Sequence, residues 1–78
     1  MEIYFTSHSI ERAGRYHIPI VLIKDALQNP DNIISTYKNR KIFQKRLNGN
    51  LLRVIVKESK EIYTIIIIYK SRRERYEV

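Results

Sequence analysis

The 78-residue sequence contains no cysteine, which excludes disulfide bridges and thiolate metal sites and points to a reducing compartment. It has only two histidines and no pair of carboxylates at ligand spacing, so a zinc or two-metal site has no donor set. No serine-hydrolase nucleophile motif occurs. The longest apolar run, Ile65 to Tyr69, is far too short to cross a bilayer. The N-terminal residues lack the charged-then-apolar layout of a signal peptide. Linkers, repeats and low-complexity tracts are also missing. These absences lead to the expectation of one soluble, cytoplasmic domain over residues 1–78, with no cofactor and no membrane partner.

Acidic residues are scarce too. Eight Asp and Glu stand against fifteen Lys and Arg, a formal charge of +7. So large a charge on so small a body draws polyanions by long-range steering, making RNA, DNA or an acidic protein the expected partner. A self-associated dimer is a further expectation, because so short a chain buries a modest core.

Glu2 to Thr6 alternates like a short strand, with Ile3 and Phe5 on one side. Thr6 or Ser7 can cap a helix running to about Tyr16. Its i, i+3, i+4, i+7 face holds Ile10, Ala13, Gly14 and His17, and His8, Arg12 and Arg15 share the opposite stripe. That spacing makes His17 structural. Pro19 suits the first turn of a second helix carrying Val21, Leu22, Ile23, Ala26 and Leu27, which Asn29-Pro30-Asp31 stops. Ile33 to Lys38 reads as a strand.

Lys41 to Leu47 and Asn50 to Lys57 flank Asn48-Gly49, the dipeptide preferred in type I′ hairpins. That turn pairs Leu47 with Asn50, Lys45 with Leu52, Phe43 with Val54, and Lys41 with Val56. Phe43, Leu52, Val54 and Val56 then meet the helices, and Gln44, Arg46 and Arg53 share the other face with no carboxylate expected nearby. Glu61 to Lys70 forms a last strand, apolar on both faces through Ile65–Ile68. With unbroken parity, Lys70 and Arg72 join the outer basic face beside Ile66 and Ile68. Two short helices cover one side of such a sheet, so the other side calls for the C-terminal segment, a second copy or another protein.

The tail YKSRRERYEV sets Lys70, Arg72, Arg73 and Arg75 between Tyr69 and Tyr76. Arginine forks bind phosphate bidentately and tyrosine offers a stacking face. Such a residue set suits metal-free RNA cleavage, in which the RNA's 2′-hydroxyl attacks the adjacent phosphate. The protein then supplies a base, an acid for the leaving 5′-oxygen and cations for the developing charge.

FTSHSIER, ALQNPDNI, IFQKRLNGNLLRVIV and YKSRRERY resemble, in order, the small domains of the domain-of-unknown-function family 4258. That family is similar to the BrnT and RelE/ParE-like toxins of type II toxin–antitoxin pairs. The resemblance implies an α+β fold of order β-α-α-β-β-β-β, two N-terminal helices on one face of a curved antiparallel sheet. It also implies a toxin-like metal-free RNA endonuclease with an acidic or amphipathic antitoxin. A non-catalytic binding module of the same fold, or a ParE-like toxin with a protein target, remain alternatives. Matched positions imply catalytic roles for His8, Arg12, Arg46, Arg53 and Tyr76, with His8 or Tyr76 as acid/base. They imply RNA or phosphate contacts for Gln44, Lys45, Tyr69 and Arg72, to which the basic tail adds Lys70 and Arg73. AGRYHIP departs from the family's short charged run ending in Gly-Ile.

Overall fold

Thr6 both ends a strand and starts a helix. In the computed structural model, which describes residues 2–72, Thr6 is extended (φ −71°, ψ 157°). Its Oγ1 accepts the Ser9 N–H at 3.2 Å and donates to the Ile65 carbonyl at 2.8 Å. The cap that satisfies an orphan helix donor thus also ties the helix to the far end of the sequence.

The elements are β1 (Glu2–Phe5), α1 (Ser7–Arg15), α2 (Ile20–Gln28), β2 (Asn32–Ser35), β3 (Arg40–Leu47), β4 (Asn50–Ser59) and β5 (Ile62–Arg72). This is the expected β-α-α-β-β-β-β order, and the α+β class holds. The five strands form one sheet in the order β1-β5-β4-β3-β2. The all-antiparallel expectation needs correction, because β1 pairs with β5 in parallel, Ile3 beside Tyr63 and Phe5 beside Ile65. A parallel pair needs a long connection. Here that connection is nearly the whole chain, so no local pattern around Glu2 encodes the direction of pairing.

The β3–β4 register agrees with the expectation at every pair from Lys41↔Val56 to Leu47↔Asn50. Gly49 has φ +75°, the left-handed conformation that the turn demands and that glycine adopts without penalty. Phe43, Leu52, Val54 and Val56 accordingly meet Ala13, Ile18, Ile23, Ala26 and Leu27 in one core with Ile65 and Ile68. Each of the larger side chains here, fully buried, stabilises the fold by roughly 1.5–3 kcal/mol. Tyr63 closes the core against Phe43, their ring centroids 5.4 Å apart.

Parity in β5 differs from expectation. Ile55 pairs with Ile67 but Val56 with Ile65, leaving Ile66 as an extra residue in a β-bulge. Ile65 and Ile68, three residues apart, therefore both face the helices, whereas an unbroken strand would put them on opposite sides. Lys70 follows Ile68 to the helix side, and Arg72, paired with Asn50, has the same register parity. Tyr69, paired with Arg53, takes the outer face.

The buried face of α1 is also turned from the expected one. Ser9 and Ala13 are buried and Arg12 and Tyr16 half-buried, while Ile10 is 54% exposed and Gly14 is exposed. The buried Ser9 hydroxyl donates to the Thr6 carbonyl at 2.7 Å, so a polar residue occupies a core position at little cost. His17 lies beyond the helix, exposed, at φ +56°. Its N–H donates to the Gly14 carbonyl at 3.1 Å and the Ile18 N–H to Ala13 at 2.8 Å, a Schellman cap with His17 where glycine is usual.

Two expectations follow for chemical denaturation. Leu52→Ala lowers stability by about 3 kcal/mol, whereas Ile10→Ala changes it by less than about 0.5 kcal/mol. Equal losses would contradict the observed orientation of α1. His17→Gly raises stability by about 1 kcal/mol, because it relieves the left-handed strain.

Candidate nucleic-acid interface

Alternation in the β3–β4 hairpin separates its cations into two sets with different surroundings. On the helix side, the Lys45 Nζ donates to the Asn29 carbonyl at 2.7 Å and lies 3.6 Å from the Asp25 carboxylate, closing the carboxyl end of α2. Lys70 Nζ donates to the Tyr16 carbonyl at 3.3 Å and does the same for α1. Each ammonium thus meets unsatisfied carbonyls at the negative end of a helix dipole. The two lysines expected on phosphate are placed as helix clamps instead.

Lys41, also on this side, lies 2.6 Å from Glu58, whose hydrogen bond and negative charge raise the lysine's pKa. The raised value means that this contribution to stability is complete below the ordinary lysine range and is lost as pH climbs above it.

The outer face runs along the hairpin in rows of cross-strand pairs: Arg40–Lys57, Ile42–Ile55, Gln44–Arg53 and Arg46–Leu51. Arg53 spans to β5, its guanidinium carbon 5.4 Å from the centre of the Tyr69 ring, a cation–π distance. Gln44 and Leu51 are buried and Ile42, Arg53, Ile55, Ile67 and Tyr69 half-buried, while Arg40, Arg46 and Lys57 are exposed. The result is an apolar and aromatic floor with cations at its rim. Among the described residues no helix covers it, since both helices pack on the other side. One carboxylate does approach, contrary to expectation. Asp31 Oδ2 accepts the Arg46 N–H at 2.7 Å, because the chain leaving α2 enters β2 beside Gln44.

The structure thus brings together Gln44, Arg46, Arg53 and Tyr69. It does not bring His8 or Arg12 to them. Both are on α1, across the sheet; His8 is exposed at the helix start, and Arg12 is half-buried with its Nε unpaired among the described residues. Arg15 pairs with Glu11 at 2.7 Å, a solvent-exposed i, i+4 bridge of little energetic consequence. Arg73 and Tyr76 lie outside the described residues. Arg40 and Lys57 belong to the outer rim although sequence reasoning passed over them. Extending the hairpin pairing by one row beyond Ile42–Ile55 would have found both.

No group of three or more His, Asp or Glu converges to hold a metal among the described residues, and no helix there is long and apolar enough to cross a membrane. Fold and face together define a small α+β protein with one helix-covered and one cation-rimmed sheet surface. Residues 5–70 match the model of the domain of unknown function DUF4258, and the chain belongs to that family. No curated protein and no solved structure matches it significantly.

The lysine assignment is testable. Lys45→Met lowers stability by about 1 kcal/mol in urea titration, through the loss of its bond at the α2 terminus. It leaves polyanion affinity within about twofold of wild type, a result incompatible with Lys45 as a principal phosphate ligand.

Proposed function

We propose that this chain is a cytoplasmic RNA-binding protein of the toxin-like class that its sequence resembles, holding single-stranded RNA on the outer sheet face. The carrying observation is the segregation of cations. Lysines on the helix side serve the helix ends, while Arg40, Arg46, Arg53 and Lys57 rim a floor of Ile42, Ile55 and Tyr69. Arginine forks suit phosphate oxygens, and tyrosine and isoleucine suit base faces. An acidic segment of an antitoxin would compete for the same cations.

Cleavage is a second reading, favoured by the Arg53–Tyr69 pair. In it the RNA 2′-hydroxyl gives its proton to solvent water, its oxygen bonds to phosphorus and the P–O5′ bond breaks. Arg53 stabilises the developing negative charge, and the Tyr69 hydroxyl protonates the leaving 5′-oxygen. His8, across the sheet, has no part in this arrangement.

A labelled single-stranded RNA of about ten nucleotides, titrated at several salt concentrations, tests the binding. The Arg46→Ala/Arg53→Ala double variant weakens it by at least tenfold and flattens the log–log salt slope by about 1.4, or about 0.7 per lost phosphate contact. Wild-type binding with no salt dependence would refute the reading. For cleavage, the expected product carries a 2′,3′-cyclic phosphate, and Tyr69→Phe abolishes it while preserving affinity. Intact RNA after long incubation with wild type leaves the binding module alone.

A further inference from the structure

Beyond the Ile42–Ile55 row, the outer face ends under the loop that joins β2 to β3. Thr36, Tyr37, Lys38 and Arg40 stand around a cleft of about 290 Å³ floored by Ile42 and Ile55. That volume is near the lower bound of ligand clefts, about 300 Å³, and suits one ring-sized group. Tyr37 is 81% exposed, yet the Lys38 ammonium lies 5.8 Å from its ring centre. An aromatic face, two cations and an apolar floor thus meet at one point.

The loop is held in shape. Lys38 and Asn39 both take left-handed backbone (φ 62° and 59°), a conformation that costs energy for residues with a side chain. Bonds at both ends keep them there: the Thr36 N–H and hydroxyl both reach the Arg40 carbonyl, at 2.9 and 3.0 Å, and the Glu58 N–H reaches Asn39 at 3.0 Å. The tyrosine and its neighbouring cation are therefore presented by a fixed turn, which reduces the entropy lost when a ligand docks.

Charge separates this cleft from its neighbours. On the other side of the same loop, a cleft of about 420 Å³ includes the Lys41–Glu58 ion pair, which offsets its positive charge. A third, of about 570 Å³ beside β1, is lined by Glu2, Lys60, Glu61 and Ile62 and opposes phosphate. Among the described residues, the Tyr37 cleft has no carboxylate in its lining.

We infer that the Tyr37 cleft is a nucleobase subsite of the RNA face, in which one unpaired base stacks on Tyr37 over Ile42 and Ile55 and its flanking phosphate meets Lys38 and Arg40. The inference rests on the RNA-binding reading and extends it. The cleft's floor, Ile42–Ile55, is the next row along the outer face from Gln44–Arg53, about 7 Å at strand rise, and its rim residue Arg40 is four residues, about 13 Å, from Gln44, so one oligonucleotide can engage both. Stacking on Tyr37 is indifferent to base identity, because every base presents a π-face.

The experiment uses the full chain and a labelled ten-nucleotide single-stranded RNA, with Tyr37→Ala, Tyr37→Phe and Arg40→Ala beside wild type. Tyr37→Ala weakens binding about tenfold without changing the salt slope, and Tyr37→Phe stays within about twofold of wild type. Arg40→Ala flattens the slope by about 0.7. Replacing the bases by abasic sugars weakens wild type more than Tyr37→Ala. Tyr37 is solvent-exposed, so the variants fold, and circular dichroism verifies it. Tyr37→Ala binding like wild type, while the Arg46/Arg53 double variant binds weakly, overturns the base subsite and leaves the RNA face standing. Wild type without RNA affinity overturns both. Preference for an acidic peptide over RNA, lost equally in Tyr37→Ala, reassigns the cleft to protein and overturns the inference.

Discussion

The extra residue at Ile66 is the constraint on which the arrangement depends. It places both Ile65 and Ile68 among the helix-facing side chains and reverses parity for everything beyond. Lys70 reaches the carboxyl end of α1 because of it, and Tyr69 comes to lie beside Arg53 on the opposite surface. Core packing and the candidate interface are thus two results of one irregularity. An unbroken strand would also turn two isoleucines, Ile65 and Ile67, to the helices, so the bulge changes which isoleucine fills the core and the parity beyond it rather than the number buried.

The positive charge is partitioned by the same geometry. Lys45 and Lys70 neutralise the partial negative charge at the two helix termini, and Lys41 pairs with Glu58. Arginines predominate on the side without helices. The division suits the chemistry of the groups. A compact ammonium serves one or two carbonyls well, whereas a planar guanidinium can stack on Tyr69 and still present a fork to an anion. Among the described residues, the positive charge is divided between the two faces of the sheet rather than spread evenly.

Much of the fold was legible. The element order, the N-cap at Thr6, the stop at Asn29-Pro30 and every pair of the Asn48-Gly49 hairpin follow from local rules. Of the candidate site, the placement of Arg46 and Arg53 opposite the core followed from that hairpin register. The buried face of α1 escapes a hydrophobic pattern because its core position is a serine, satisfied by the Thr6 carbonyl. The Tyr37 loop gave no pattern signal. Its residues read as the end of a strand and a polar turn, and their convergence with Ile42 and Ile55 exists only in the folded hairpin.

By itself, then, the sequence determined period, punctuation and charge, because turns, caps and alternation act over a few neighbouring residues. Tertiary structure decided the parallel entry of β1 beside β5, the parity switch at Ile66 and the separation of His8 from Arg53 by the thickness of the sheet. Each of these depends on contacts between segments some sixty residues or more apart, or on packing that outweighs local preference. In β5 the four consecutive isoleucines are equally apolar, so the pattern contains nothing to say which of them faces the helices. The volume of the core, filled by Ile65 and Ile68 together, makes that choice.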